Sequence, residues 1–399
     1  MDRSDILDWL TEGDERRLEE LWRRADDVRR ASVGDEVHLR GLIEISNHCR
    51  RQCKYCGLRA GNRDLPRYRM SDDEILDCVR RAEAFGYGTV VVQAGEDEAL
   101  TEERVSGLVR RIKGETPLAV TLSLGERTTQ ELTAWRQAGA DRYLLRFETS
   151  NRELYERIHP PPGASGRGTG ILPVRTTGVP PVGQGRDGPA THGRDAHAAS
   201  ATVHRFDILR VLRGLGYEVG SGVMIGIPGQ TWDDLAEDIQ TFERLDLDMI
   251  GVGPFIAHPV TPLGVDAASS PRPDTAEAVA SGESSQVPAD ELTTYKVIAL
   301  ARLVCPRANI PSTTALATLN LATGRETGLR RGANVVMPNL TPARYREMYE
   351  IYPAKACVRE TSDDCHRCMG ERIRSMGRQA GAGRGDSPNR LARLESDTR

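Results

Sequence analysis

Three cysteines share one short loop, in the C-x3-C-x2-C spacing of Cys49, Cys53 and Cys56, directly after the apolar run of residues 37–45. Three thiolates can ligate three irons of a [4Fe–4S] cluster and leave the fourth iron open, whereas electron-carrier clusters normally take four protein ligands. An open iron can bind a substrate or a cofactor. Zinc is the alternative occupant, but structural zinc prefers four closed ligands, and only His48 offers a nearby fourth. The spacing therefore favours an iron–sulfur site with one open position.

A second set of three cysteines follows near the end of the sequence, spaced as Cys357-x7-Cys365-x2-Cys368. Three thiol ligands again suit an accessory [2Fe–2S] or [4Fe–4S] centre. Zinc remains an alternative here, because His366 or a water molecule could supply a fourth ligand. We refer to these three residues as the C-terminal cysteine set.

The composition limits the classes of protein that need to be considered. The 399 residues are 28% charged with a formal net charge of -4, so the charge balance does not indicate a nucleic-acid partner. No apolar run reaches the length of about eighteen residues that a membrane span needs, and residues 1–30 lack the apolar core of a signal peptide. Eight cysteines without an export signal therefore predict metal or redox chemistry in a reducing cytoplasm.

Short apolar runs of strand type alternate with helical segments along the chain, and several of the helical segments begin at an N-cap, as at Ser71 and Thr231. Eight strands, each followed by a helix or loop, predict an α/β fold of the (β/α)8 TIM-type barrel class. A doubly wound parallel sheet of similar length is the alternative, since periodicity does not separate the two. The predicted strands are residues 37–45, 89–93, 119–124, 143–147, 219–227, 249–255, 309–315 and 334–337.

The predicted organisation places a helical extension at residues 1–36, the barrel at 37–349 and a cysteine-containing segment at 350–378. Two stretches interrupt the barrel pattern. Residues 160–201 are rich in Gly, Pro and Arg and nearly free of bulky side chains, and 267–288 are rich in Ser, Ala and Glu. Such segments bury too little apolar area to offset chain ordering, so both are predicted to be disordered insertions, as is the Gly/Arg/Ser-rich tail at 379–399.

Polar residues collect where the predicted strands end, which is the edge at which barrel enzymes carry their active sites. The cysteine loop follows the first strand, and Gln93-Ala94-Gly95-Glu96 follows the second. A glycine lets the backbone approach a ligand closely, and a carboxylate pairs with an ammonium group. The strand ends thus predict one ligand site at a single face of the barrel.

The cysteine loop, with Tyr55 just before its last cysteine, resembles the radical S-adenosylmethionine (SAM) superfamily, in which SAM chelates the open iron. The Ala94-Gly95-Glu96 turn resembles that superfamily's motif for the SAM amino group. Ordered motifs over nearly the whole chain then resemble the HydE family of [FeFe]-hydrogenase maturases. Those motifs are Arg67-Tyr68-Arg69-Met70, Thr121-Leu122-Ser123-Leu124-Gly125-Glu126, Gly139-Ala140-Asp141-Arg142, Gly226-Ile227-Pro228-Gly229-Gln230-Thr231, Gly251-Val252-Gly253-Pro254 and Gly332-Ala333-Asn334-Val335.

The resemblance implies a cluster on Cys49, Cys53 and Cys56 that reductively cleaves SAM to methionine and a 5′-deoxyadenosyl radical. It also implies an accessory cluster on the C-terminal cysteine set, a small-molecule or organometallic substrate, partner maturases and a reductant protein. The implied SAM-binding residues are Tyr55, Gln93, Gly95, Glu96, Glu148 and Arg205. The implied anion-binding residues of the barrel cavity are Thr121, Ser123, Arg142, Thr313 and Thr314, for which helix capping and a structural ion pair are the alternative roles.

Three other functions stay open from the sequence. Methylornithine synthase and biotin synthase are radical SAM enzymes of related type, and the first should lack the C-terminal cysteine set. A non-enzymatic iron–sulfur scaffold is a different class, and the SAM-type residues argue against it. One departure from the family pattern is Phe147, which stands where some HydE proteins carry histidine, so no imidazole role beside Glu148 is expected.

Overall fold

The computed structural model describes residues 1–160, 205–269 and 286–397. Of the predicted insertions at 160–201 and 267–288, residues 161–201 and 270–285 lie outside these described residues. In the described ranges, no helix is both long enough and apolar enough to cross a bilayer.

Parallel strands form a closed ring. They are β1 (Glu36–Ser46), β2 (Thr89–Ala94), β3 (Ala119–Ser123), β4 (Arg142–Leu144), β5 (Glu218–Ile225), β6 (Met249–Pro254) and β7 (Val335–Val336). Their order in the sheet is β6-β5-β4-β3-β2-β1-β7. Between β6 and β7, single parallel bridges join Asn309 to Met249 and Pro311 to Val335, which completes the ring. The strand order never reverses, as it would at the switch point of a doubly wound sheet. The predicted barrel is therefore confirmed.

The predicted strand at residues 309–315 is present only as those two bridges. The chain turns into a helix at Thr314, because the Thr313 hydroxyl accepts the backbone N–H of Leu316 and caps it. Elsewhere the predicted strands match the structure to within about three residues at either end, as expected for boundaries read from sequence.

Amphipathic helices cover the outside of the barrel. The helices of the barrel and its N-terminal extension are α1 (Arg3–Thr11), α2 (Glu15–Val33), α3 (Asp72–Ala84), α4 (Glu102–Glu115), α5 (Thr129–Gln137), α6 (Arg152–Ile158), α7 (Arg205–Gly214), α8 (Trp232–Arg244), α9 (Pro262–Ser269), α10 (Glu291–Val304), α11 (Thr314–Leu319), α12 (Gly324–Arg330) and α13 (Ala343–Arg346). Capping boxes start α3 at Ser71 and α8 at Thr231, as the sequence indicates. The first two helices precede the barrel and pack on α8 and α10.

The C-terminal residues are structured where they are described, so the expectation of a disordered tail at 379–399 is wrong for residues 379–397. Helix α14 (Ser362–Ser375) is followed by β8 (Gln379–Ala380), which pairs with the start of β1, and by α15 (Pro388–Asp397). The tail has few apolar side chains, but it attaches by charge and by close backbone contact. The Arg384 side chain, for example, donates to Asp141 at 2.6 Å.

The same tail explains the position of Arg142, which the sequence assigned to the anion-binding cavity. Arg142 begins β4 at the amino-terminal end of the barrel and is fully buried. Its guanidinium donates to Glu218 at 2.8 Å, to Thr89 at 2.8 Å and to Asp386 of the tail. The assignment to the cavity is therefore wrong, because the Arg142 guanidinium belongs to a structural ion-pair network at the opposite end of the barrel.

Replacing Arg142 with Met should destabilise the fold strongly, since it leaves the fully buried Glu218 carboxylate without its main partner. Removing one member of a buried ion pair typically costs about 3–5 kcal/mol. The control is Arg210→Met, which breaks an exposed pair with Asp207 and should change stability little. Denaturant titration of both variants measures the difference, and equal midpoints would refute the structural role of Arg142.

Candidate functional site

The cysteine loop begins where β1 ends, at Ser46, and one arginine holds its backbone in place. The Arg67 guanidinium donates to the backbone carbonyls of Asn47 at 2.6 Å and Leu58 at 2.9 Å. It also donates to those of Arg59 at 2.8 Å and Asn62 at 3.0 Å. One side chain thus satisfies carbonyls on both sides of the three cysteines and fixes the shape of the loop.

Two glycines allow neighbouring loops to approach the cysteine loop closely. A Cβ on Gly95 would lie 2.3 Å from the His48 carbonyl oxygen and 2.7 Å from the Cβ of Cys49. A Cβ on Gly57 would lie 2.2 Å from the carbonyl oxygen of Glu350. Only glycine fits at both places, so the loop after β2 and the C-terminal segment form a tight cradle around the cysteines.

The three thiols have an environment that does not favour thiolates without a metal. Burial raises the pKa of Cys53 to about 12, and burial also raises the pKa of Cys49 and of Cys56. A bound metal reverses this, because a coordinating thiol is deprotonated outright. In the described ranges no three His, Cys, Asp or Glu side chains converge tightly enough to share a single metal ion. The donor set and the glycine cradle fit an iron–sulfur cluster, which is a bulky core held by separate thiolates.

Glu96 lies directly beside this loop and is almost completely buried. Its carboxylate accepts the backbone N–H of Glu126 at 3.0 Å and the Arg50 side chain at 3.2 Å. Gly125 makes room for it, since a Cβ there would lie 2.0 Å from the Glu96 Cγ. The carboxylate is thereby fixed next to the cysteines, where it can pair with a cation.

Glu148 and Arg205 lie together at the carboxyl end of β4. Glu148 has a φ of +67°, and its Oε1 lies 4.0 Å from Arg205 Nη1. Arg205 also donates to Glu126 at 2.9 Å and to the Arg146 carbonyl at 2.5 Å. A residue other than glycine is strained at a positive φ, and such backbone strain occurs at ligand-binding positions.

Glu126 connects Arg205 to the cysteine loop. Arg51 Nη2 lies 3.2 Å from its carboxylate, and Arg205 lies on the other side. Burial acts to raise the pKa of the Glu126 carboxyl, but the two guanidinium groups outweigh it, so that the pKa is lowered. The carboxylate therefore stays ionised and ties the cysteine loop to the residues at the end of β4.

A cavity of about 320 Å³ fills the barrel at this end and reaches the cysteine loop at Tyr55 and Cys56. Gln93 and Glu148 line it, and so do Thr121, Thr313 and Thr314. Ser123 ends β3 but does not border the cavity. Of the predicted anion-binding residues, the structure thus brings the three threonines together and leaves out Ser123 and Arg142.

Several polar atoms around the cavity have no hydrogen-bond partner among the described residues. They are buried, and buried polar atoms are normally paired with protein, water or ligand. These atoms are Arg40 Nε, Thr121 Oγ1 and Arg146 Nε. Burial also lowers the pKa of Arg40 to about 9. The cavity therefore offers unused donors and acceptors to a polar ligand.

The C-terminal segment forms part of the cavity wall, through Ile351, Tyr352 and Lys355. Lys355 Nζ lies 2.5 Å from Glu44 of β1, and both side chains are buried and border the cavity. Gly57 of the cysteine loop donates to the Ile351 carbonyl at 3.0 Å. The segment thus joins the barrel wall to the cysteine loop beside the cavity.

The C-terminal cysteine set lies in the turn before α14 and on that helix. The hydrogen bond from Cys365 lowers the pKa of the Cys357 thiol against the effect of burial, and Arg325 lowers it further. His366 lies elsewhere, since its Nδ1 is 3.1 Å from the Tyr87 hydroxyl and its ring stacks on Phe85. The suggested fourth zinc ligand therefore does not join these cysteines.

The sequence did not single out several side chains that complete the site. The sequence around Glu126 and Arg51 did point to the site, because Glu126 lies at a polar strand end and Arg51 lies inside the cysteine loop. Nothing in the local sequence pointed to Arg40 or to the Lys355–Glu44 pair, because only the closed barrel brings these separated residues to one cavity.

Comparisons with known proteins define the class first. The Radical SAM superfamily profile matches residues 43–167. The crystal structure of methylornithine synthase (PylB) superposes with a TM-score of 0.70 at 22% identity and covers 99% of this chain and 96% of that one. The maturase HydG from Carboxydothermus hydrogenoformans gives a TM-score of 0.61 at 16% identity over 85% of this chain and 67% of its own. These structures show the same fold. The profile match gives the class: the protein is a radical SAM enzyme.

The particular family follows from sequence identity. The [FeFe] hydrogenase maturase subunit HydE of Thermotoga maritima is 40% identical over 91% of this chain and 87% of its own length. The 3-methylornithine synthase of Methanosarcina acetivorans is 26% identical over 83% and 77%. The chain belongs to the HydE family. A [4Fe–4S] cluster and SAM are the cofactors that this superfamily implies.

Proposed function

We propose that this protein is a maturase of [FeFe]-hydrogenase that acts in assembly of the di-iron subcluster of the hydrogenase active site. The observation that carries the proposal is the barrel cavity, which is bordered by Tyr55 and Cys56 of the cysteine loop and by Glu148. A site of this kind can enclose a small substrate next to a radical source. The relative named HydE supports the same role.

Cys49, Cys53 and Cys56 would hold the [4Fe–4S] cluster, which supplies the electron that cleaves bound SAM to methionine and a 5′-deoxyadenosyl radical. Glu96 would pair with the SAM ammonium group, for which a buried carboxylate beside the loop is suited. Glu148 and Arg205 would bind the rest of the amino-acid end. Tyr55, Gln93 and Gly95 would complete the SAM pocket.

The substrate would be a small, anionic organometallic molecule in the barrel cavity. Arg40 and Arg146 each present a buried Nε–H without a partner among the described residues, and Thr121 presents an unpaired hydroxyl. Thr313 and Thr314 border the same space. The buried Lys355–Glu44 pair borders the same space and adds a charged wall to it.

The C-terminal cysteine set would hold an accessory [2Fe–2S] or [4Fe–4S] centre. Its donor set is three thiols, two of which already contact each other, with guanidinium groups around them. The proposed partners are the other maturases, one of which supplies the substrate, and a reductant protein.

A cellular test separates this function from the main alternative. In an anaerobic strain that lacks its own HydE, the wild-type protein should restore [FeFe]-hydrogenase activity, because the proposed substrate pocket is complete. Lysine should not stimulate SAM turnover by the purified protein. Failure to restore hydrogenase activity, together with formation of a methylornithine-type product from lysine, would assign the protein to the methylornithine synthase function.

A further inference from the structure

Each cysteine of the C-terminal cysteine set faces a guanidinium group of its own. The three arginines come from three different helices, so the arrangement does not follow from one local motif. The pairs are Arg325 Nη2 with Cys357 Sγ at 3.4 Å, Arg346 Nη1 with Cys365 Sγ at 3.9 Å, and Arg372 Nε with Cys368 Sγ at 3.3 Å.

Two of these arginines also support the fold. Arg346 is buried, and it donates to the carbonyls of Asn339 and Glu360. Arg372 donates to the Ala322 carbonyl and pairs with Glu326 at 2.6 Å. Arg346 and Arg372 therefore have a structural role besides their contacts with sulfur.

Arg325 is different. It lies on α12, and its hydrogen bond to Cys357 is the only one that its side chain makes in the part of the chain that the structure describes. Cys357 itself has a φ of +62°, an uncommon backbone conformation for a residue with a side chain. The contact therefore ties a strained cysteine to an arginine that has no second hydrogen bond or ion pair within those residues.

We propose that Arg325, with Arg346 and Arg372, donates N–H···S hydrogen bonds to the thiolates of the accessory centre and raises its reduction potential. This rests on the proposed accessory iron–sulfur centre. Reduction adds negative charge to such a centre, and hydrogen bonds to the sulfurs together with nearby positive charge stabilise the reduced form more than the oxidised one. Arg325 is the member whose effect is separable from folding.

The test uses the full chain with Cys49, Cys53 and Cys56 replaced by Ala, reconstituted with iron and sulfide, so that only the C-terminal cysteine set carries a spectroscopic signal. In this background Arg325→Gln should lower the reduction potential by at least ~59 mV, the equivalent of a tenfold change in a one-electron equilibrium. Arg325→Lys should fall between Gln and Arg, because it keeps the charge but not the planar fork. Arg330→Gln is the control, since Arg330 is exposed on the same helix and makes no side-chain hydrogen bond within the described ranges.

Iron content and a redox titration followed by electron paramagnetic resonance give the readout. Unchanged potentials in Arg325→Gln and Arg325→Lys, with iron bound as in the parent, would overturn the role of the arginines but leave the accessory centre in place. Iron absent from the parent would overturn the accessory centre itself. Should the triple background prove insoluble, the same titration in the otherwise wild-type chain separates the two centres, because only the signal of the SAM-binding cluster responds to added SAM.

Discussion

Replacement of Cys49, Cys53 and Cys56 by Ala should abolish release of 5′-deoxyadenosine from SAM. These are the only thiols in the loop after β1, and the cradle formed by Gly57 and Gly95 has no other thiol in their place. The loss should be the whole enzymatic contribution, at least ~10⁶-fold on the scale of ordinary enzymes, and so fall below detection. Anaerobic reconstitution followed by chromatographic assay of 5′-deoxyadenosine measures it.

The matched control removes the same number of thiols from the C-terminal cysteine set. Replacing Cys357, Cys365 and Cys368 by Ala should lower the iron content and preserve SAM cleavage, because these residues belong to a different segment from the cysteine loop. Undiminished 5′-deoxyadenosine from the first triple variant would remove the basis for the cluster assignment. Loss of cleavage in both variants would show that the two sites are not separable.

The second large effect is expected at Gly95. Replacing it with Ala places a Cβ 2.3 Å from the His48 carbonyl oxygen and 2.7 Å from Cys49 Cβ, far inside van der Waals contact. Both neighbours are backbone or the first atom of a ligand side chain, so neither can move away without displacing the cysteine loop. We therefore expect the reconstituted variant to bind little iron at this loop and to lose SAM cleavage.

Gly107→Ala is the control for this substitution. Gly107 lies inside α4, and apart from the backbone of its own helix and its chain neighbours no atom comes within 4 Å of the position that a Cβ would take there. Ala at this position should keep the iron and stabilise the helix by about 0.5–1 kcal/mol. Melting temperatures of both variants show whether Gly95→Ala remains folded. Full iron content and full activity in Gly95→Ala would show that the cysteine loop does not need the close approach of the loop after β2.

Much of the fold was predictable because local signals agreed with it. Apolar runs marked the buried parallel strands, and caps such as Ser71 and Thr231 marked helix starts. The chemistry of the cysteine loop was predictable for the same reason, since all three thiols lie within eight consecutive residues. Local sequence and final structure coincide at these positions.

The errors have physical causes that a local pattern does not contain. Residues 379–397 look unstructured because they carry few apolar side chains, yet their backbone and charges meet the amino-terminal ends of the strands. Arg142 was assigned to the cavity because it belongs to a family motif. It lies at the start of its strand, however, at the end of the barrel opposite the cysteine loop. Arg40 and Lys355 border the cavity only after the barrel has closed.

Direct detection of SAM on the cluster is the measurement closest to the central claim that this HydE-family chain is a radical SAM enzyme. The reduced wild-type protein would be mixed with SAM carrying ¹⁵N in its amino group and examined by electron–nuclear double resonance. We predict a coupling from the labelled nitrogen, because the proposed site would hold the amino group between Glu96 and the open iron. We also predict release of 5′-deoxyadenosine on a single turnover. A cluster signal that does not respond to SAM, with no 5′-deoxyadenosine formed, would contradict it.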